Sequence, residues 1–149
     1  MRTSLFFIIS ILLLAPTLQS QIINVPGDYS SIQSAIDASV DGDTILVSSG
    51  TYFENNITFS GKEVVLLSEN GPDATFIDGS NSGGIFDCMS GETFNTEING
   101  FTIHNGQANI GSAIHIINTS YLTVRNCNII NNSSPGIWTR AAITIGQAY

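Results

Sequence analysis

Two hydrophobic periods run along this chain. Ile32, Ala35, Ile36 and Val40 fall at i, i+3, i+4 and i+8, one face of a helix. Ser30-Ser31-Ile32-Gln33 has the S-x-x-Q spacing of a capping box, with Tyr29 in front of it. Asp41-Gly42-Asp43 closes the run with a turn. The pattern predicts one short amphipathic helix over Ser31–Ser39, and no second segment shows the helical period. Ahead of it, Ile22–Val25 reads as a short strand stopped by Pro26-Gly27. After it the period is two. "TILVSS", "EVVLLS", "TFIDG", "GIFDC", "TEINGFTIHNG", "SAIHII", "YLTVRNCNIINN" and "GIWTR" are short, turn-bounded and alternating. Each predicts a strand with one buried side.

The strands repeat. Ile98, Phe101, Ile103 and Asn105 return as Val124, Cys127, Ile129 and Asn131, 26 residues later in each case (124 − 98, 131 − 105). A second column, Gly84-Ile85-Phe86, Ala113-Ile114-His115 and Gly136-Ile137-Trp138, shares a small–Ile–large pattern. Its steps are 114 − 85 = 29 and 137 − 114 = 23, which average to the same period. Self-similarity on this scale marks a solenoid, in which each coil stacks like residues on like. Ile98 and Phe101 both want the interior with two residues between them, which defines a sharp bend. Asn105 over Asn131 reads as a structural ladder of side-chain amides along the stack, or as asparagine merely suited to a turn. The predicted helix would lay Ile32, Ile36 and Val40 over the exposed end of the solenoid.

The first twenty residues change where the domain begins. Met1-Arg2-Thr3-Ser4 precedes Leu5–Leu14, in which only Ser10 is polar, and "APTLQS" ends at a small residue. This is the layout of a secretory signal peptide over 1–20, with cleavage expected between Ser20 and Gln21. The apolar run is too short for a spanning helix, so no membrane span is expected after cleavage. The mature domain is 21–149, a secreted or cell-surface protein.

Loss of Arg2 leaves Lys62, Arg125 and Arg140 against twelve Asp and Glu, a net charge of 3 − 12 = −9. Nucleic acid and anionic membranes are excluded as partners on this charge, and a polyanionic sugar would need a bridging divalent cation. Cys88 and Cys127 are the only cysteines. An exported chain allows them to bond, and they equally suit two buried apolar positions. No Cys or His spacing suggests a metal site, and no cofactor is called for.

The segments "DYSSIQSAIDASVDGDTILVSSGTYFE" and "GFTIHNGQANIGSAIHIINTSYLTVRNCNIINN" resemble pectin-lyase-like parallel β-helix proteins. The resemblance spans roughly Ile22–Ser134. It implies an all-β fold: a right-handed parallel β-helix, or solenoid, with one short N-terminal capping α-helix. That superfamily holds pectate lyases, pectin methylesterases, polygalacturonases, epimerases and surface proteins without known chemistry. Gly50, Tyr52 and Glu54 match the Gly-x-Tyr-x-Glu turn that opens pectin methylesterases. Gly111-Ser112 stands where those enzymes carry a glutamine. The Asn-Thr-Asp, Asp-Asp, Gly-His-Gly and Arg-Ile-Lys motifs of polygalacturonases are missing, as is the Arg-x-Pro-x-x-Arg of pectate lyases.

In these families glycans run along the outer face of one sheet, which the resemblance places on Gly84–Cys88, Ala113–Ile117 and Gly136–Arg140. If Ile114 and Ile116 point inward, His115 points outward. Asp87, His115, Trp138 and Arg140 are then the candidate glycan-binding residues, although each also suits an ordinary surface or end-packing position. His104 points outward on another face. The expectation is a non-catalytic module that binds a polysaccharide or cell-surface glycan, or serves as surface structure. The alternative is the N-terminal part of a pectate-lyase-like or pectin-methylesterase-like enzyme, with Ca²⁺ required only in the lyase case. "PGIWTRAAITIGQAY" starts a strand and then stops, so the expectation is a β-helix cut within a coil, with self-association through its open end.

Overall fold

The computed structural model describes residues 19–133. Twelve strands and one helix follow one another as β1 Ile22–Val25, α1 Ile32–Ala38, β2 Thr44–Val47, β3 Gly50–Phe53, β4 Ile57–Thr58, β5 Val65–Ser68 and β6 Thr75–Asp78. They continue as β7 Phe86–Cys88, β8 Glu97–Asn99, β9 Thr102–His104, β10 Ile114–Ile116, β11 Thr123–Arg125 and β12 Asn128–Ile130. Every pairing is parallel. The strands build three sheets, here called A (β1-β2-β5-β8-β11), B (β3-β6-β9-β12) and C (β4-β7-β10). Each coil visits A, B and C in turn, so the chain is a parallel β-solenoid of about four turns.

Alternation decides what goes inside. Val25, Ile45, Val47, Leu66, Ile77, Ile98 and Ile103 are fully buried, and Phe59, Phe86 and Phe101 are the largest fully buried side chains. The rings of Phe59 and Phe86 stack with centroids 6.0 Å apart. Each such side chain contributes roughly 1.5–3 kcal/mol by leaving water.

The bend at Ile98–Phe101 forms as the spacing requires, with both side chains fully buried. Gly100 turns it at φ +87, and Asn126 occupies the same place one coil on at φ 49. A residue without Cβ, or an asparagine, tolerates this left-handed backbone. The period of 26 holds there, but not throughout. In sheet A the step from Ile45 to Leu66 is 66 − 45 = 21, and from Leu66 to Ile98 it is 98 − 66 = 32. Corner loops absorb the difference.

Three expectations need correction. The helix is capped by Ser31 with Ser34 completing the box, not by Ser30 with Gln33. Val40 does not cover the core: it is 43% exposed, because the helix ends at Ala38 and the extended Ser39 turns inward instead. In sheet C, Ile114 stands opposite Phe86 rather than Ile85, a step of 114 − 86 = 28. Ile85 is buried in the bend just before β7, so two successive residues face inward and the small–Ile–large match misplaces the register by one. A slip of one residue reverses which side chains meet on each face.

The helix closes the solenoid. Its buried residues are Ile32, Ala35 and Ile36, and it packs on β1, β2 and β4. Glu54 accepts the backbone N–H groups of Ile32 and Gln33 at 2.7 and 3.0 Å, and Lys62 Nζ donates to the carbonyls of Ile36 and Asp37 at 2.7 and 2.8 Å. Negative charge at the N-terminal end and positive charge at the C-terminal end both complement the helix dipole.

Candidate functional site

On sheet C, Ile57, Phe86 and Ile114 share one inward column. The next position along each strand is Thr58, Asp87 and His115, and parallel register stacks these three on the outer face. Asp87 and His115, two of the four candidate glycan-binding residues, are brought together. His115 Nδ1 is 3.2 Å from Asp87 Oδ1, with the side chains 21% and 27% exposed. When Nδ1 carries the proton it donates to the carboxylate and leaves Nε2 as an acceptor. The base of the His115 side chain also lies against Gly111. Gly111 at φ +61 lies so close that a Cβ there would be 2.5 Å from His115 Cβ. Trp138, Arg140 and the strand expected over Gly136–Arg140 lie outside the described residues.

A second His–Asp pair stands on the outer face of sheet B. Phe53, Asp78, His104 and Ile130 are register partners in one column. Asp78 Oδ1 accepts the Ser80 N–H at 2.7 Å and the Asn105 amide at 3.1 Å, and Asp78 Oδ2 is 4.0 Å from His104 Nδ1. Phe76 meets the His104 ring edge-on at 6.1 Å. Phe53, at 71% exposed, is the most exposed large apolar residue of the described chain. His104 faces outward as expected from the sequence, whereas Phe53 and Asp78 beside it were not among the expected site residues. The signal was present in the alternation, since an inward Tyr52 or Ile77 turns its C-terminal neighbour out.

Asn105 and Asn131 both end a strand of sheet B in the left-handed region, at φ 58 and 54. They share the turn role rather than an amide ladder. Asn105 donates to Asp78, whereas the amide-to-amide bond between coils runs from Asn126 Nδ2 to Asn99 Oδ1 at 3.0 Å. The matched Gly50, Tyr52 and Glu54 serve the cap. Tyr52 Oη donates within reach of the Ser48 and Val25 carbonyls at 2.9 and 3.3 Å, and Glu54 holds the helix. Burial raises the Tyr52 hydroxyl above its usual range, with the nearby Glu54 charge adding to it.

No family model, curated protein or solved structure matches this chain. Among the described residues, no three His, Cys, Asp or Glu side chains gather to hold a metal ion, and no helix is long and apolar enough to cross a membrane. Cys88 and Cys127 are both free thiols.

Glu92 is 1% exposed. Its carboxylate accepts N–H groups from Gly61 at 3.1 Å and Ser90 at 3.0 Å, while Gly91 N–H donates to Ser120 Oγ at 3.0 Å. It thus pins three coils at the corner between sheets C and A. Its role is structural, because its oxygens point at protein donors and not at solvent.

Proposed function

We propose that the mature chain is an exported, non-catalytic glycan-binding or cell-surface structural module of the pectin-lyase-like kind of β-helix. The outward column Thr58–Asp87–His115 carries this reading. A carboxylate that accepts, an imidazole that donates or accepts and a hydroxyl that does both suit a polyhydroxylated ligand. They stand one coil apart on a partly exposed face. Within the column, Thr58 is separated from His115 by Asp87, so its hydroxyl is not placed on the imidazole.

Export has support at the N-terminal boundary. The Gln21 N–H donates to Asp43 Oδ1 at 2.9 Å, and Asp43 is buried. Cleavage after Ser20 would place a new ammonium group on that carboxylate, where a charge-assisted bond is stronger. N-terminal sequencing of the exported protein should begin at Gln21.

Retention on immobilised neutral and acidic glycans, with and without Ca²⁺, tests the function. The expected result is retention on neutral glycans without Ca²⁺, weakened about tenfold, roughly 1.4 kcal/mol, when Asp87 and His115 are both changed to alanine. No retention on any glycan would sink the glycan-binding reading and leave a surface structural module. One observation favours a second reading, a polysaccharide lyase or esterase: the Asp87–His115 bond orients the imidazole as a general base is oriented. Turnover of a polysaccharide that disappears in His115→Ala would decide for it.

A further inference from the structure

We infer that the outer face of sheet B is a second sugar-binding surface, with Phe53 as a stacking platform and Asp78, His104 and Asn105 as its hydrogen-bonding edge. This rests on the glycan-binding reading and names a different face for it. An exposed aromatic ring flanked by polar groups suits stacking against a sugar. Among the described residues it occurs on sheet B.

Register places Phe53 next to Asp78 and Asp78 next to His104. Neighbouring strands lie about 4.8 Å apart, comparable with the width of one sugar ring. Phe53 leaves 71% of its surface in water, so its ring is open to a ligand. The negative face of its ring attracts the polarised C–H groups of a sugar, and a neutral carbohydrate brings many of these on one side.

The polar edge is built rather than loose. Asp78 is fixed by Ser80 and Asn105, and His104 by the edge-on contact with Phe76. On the neighbouring column, Thr102 donates to the Pro72 carbonyl at 2.7 Å and is buried, so the loop before β6 walls off one side of the surface. The described cations are elsewhere: Lys62 is held by the helix and Arg125 lies beside Glu97 on sheet A. The face offers a carboxylate, an amide and an imidazole without a cation, which suits a neutral polysaccharide and repels an anionic one.

Affinity electrophoresis in soluble neutral polysaccharides (mixed-linkage β-glucan, xylan and galactomannan) gives the test, with oligolysine as a competing cationic probe. Phe53→Ala and His104→Ala should each weaken binding about tenfold while keeping the wild-type melting curve. Phe94→Ala, which removes a 56% exposed ring from a corner outside this face, should bind as wild type. Wild-type affinity in Phe53→Ala with loss in His115→Ala would overturn this inference and leave sheet C as the site. Absence of binding by the wild-type chain would overturn both. Binding of oligolysine in place of glycan, abolished by Phe53→Ala, would show that the face takes a cationic partner and overturn the sugar assignment.

Discussion

The side-chain amide of Gln33 stands against Thr58 where a further strand of sheet C would otherwise lie. Gln33 Nε2 donates to the Thr58 carbonyl at 3.1 Å, and the Thr58 N–H donates to Gln33 Oε1 at 2.8 Å. One primary amide thus reproduces the donor–acceptor pair of a peptide unit and closes the edge of β4. An open edge is a template for pairing with another chain. Gln33→Ala should lower unfolding free energy by about 1–3 kcal/mol, since two half-buried backbone groups lose their partners. Urea denaturation would measure this. Light scattering should also show more association than in the wild type. Gln33→Glu keeps the acceptor and loses the donor, and should fall between the two.

Glu54 and Lys62 hold opposite ends of α1, and each should be felt locally. Glu54→Gln retains one oxygen and removes the charge, at a cost of about 1–2 kcal/mol. Amide hydrogen exchange should quicken at Ile32–Ala38 before it changes in β8 or β9. Uniform loss of protection throughout the solenoid would contradict a local role for this carboxylate.

Glu92 makes stability depend on pH. Burial pushes its carboxyl up, but hydrogen bonds from its own N–H, Ser120, Ser90 and Gly61 outweigh that and hold it below the ordinary 4.5. A carboxyl with a depressed folded-state pKa contributes fully above its unfolded value, and the contribution is lost as pH falls through the folded value. The stability gap between wild type and Glu92→Gln should therefore be widest near neutral pH, on the order of 2 kcal/mol. It should shrink as pH drops below 4.5. A gap that stays constant into acid would show that the charge of Glu92 contributes nothing.

The two thiols should be hard to reach. Burial pushes Cys88 up to about 12, with Glu92 and Asp87 adding to it, and burial raises Cys127 as well. A thiol reagent acts on the thiolate, so at pH 8 the folded protein should react slowly at Cys127 and not at Cys88. Both should titrate at once in denaturant without added reductant. A count of zero thiols there would mean that the pair had oxidised to a disulfide.

Much of this fold is written in local pattern. The alternation in "TILV" and "TFID" sends Ile45, Val47 and Ile77 inward, because successive side chains in a strand must take opposite faces. The spacing of Ile32, Ala35 and Ile36 makes a helix with one apolar side, and the step from Ile98 to Val124 announces stacked coils. Two of the outward polar residues, Asp87 and His115, were also legible by alternation.

What those residues touch was not legible. The loops at the corners vary in length, so spacing along the chain does not determine spacing along the stack. A bend that buries both Ile85 and Phe86 moved the register of sheet C by one, and that single residue puts Asp87, rather than Phe86, beside His115. The same holds for Gln33 and Thr58, and for Glu54 and the helix. Alternation is a property of each strand, determined within a few residues. Pairing across coils is a property of the closed solenoid, decided only when every loop between them has found its path.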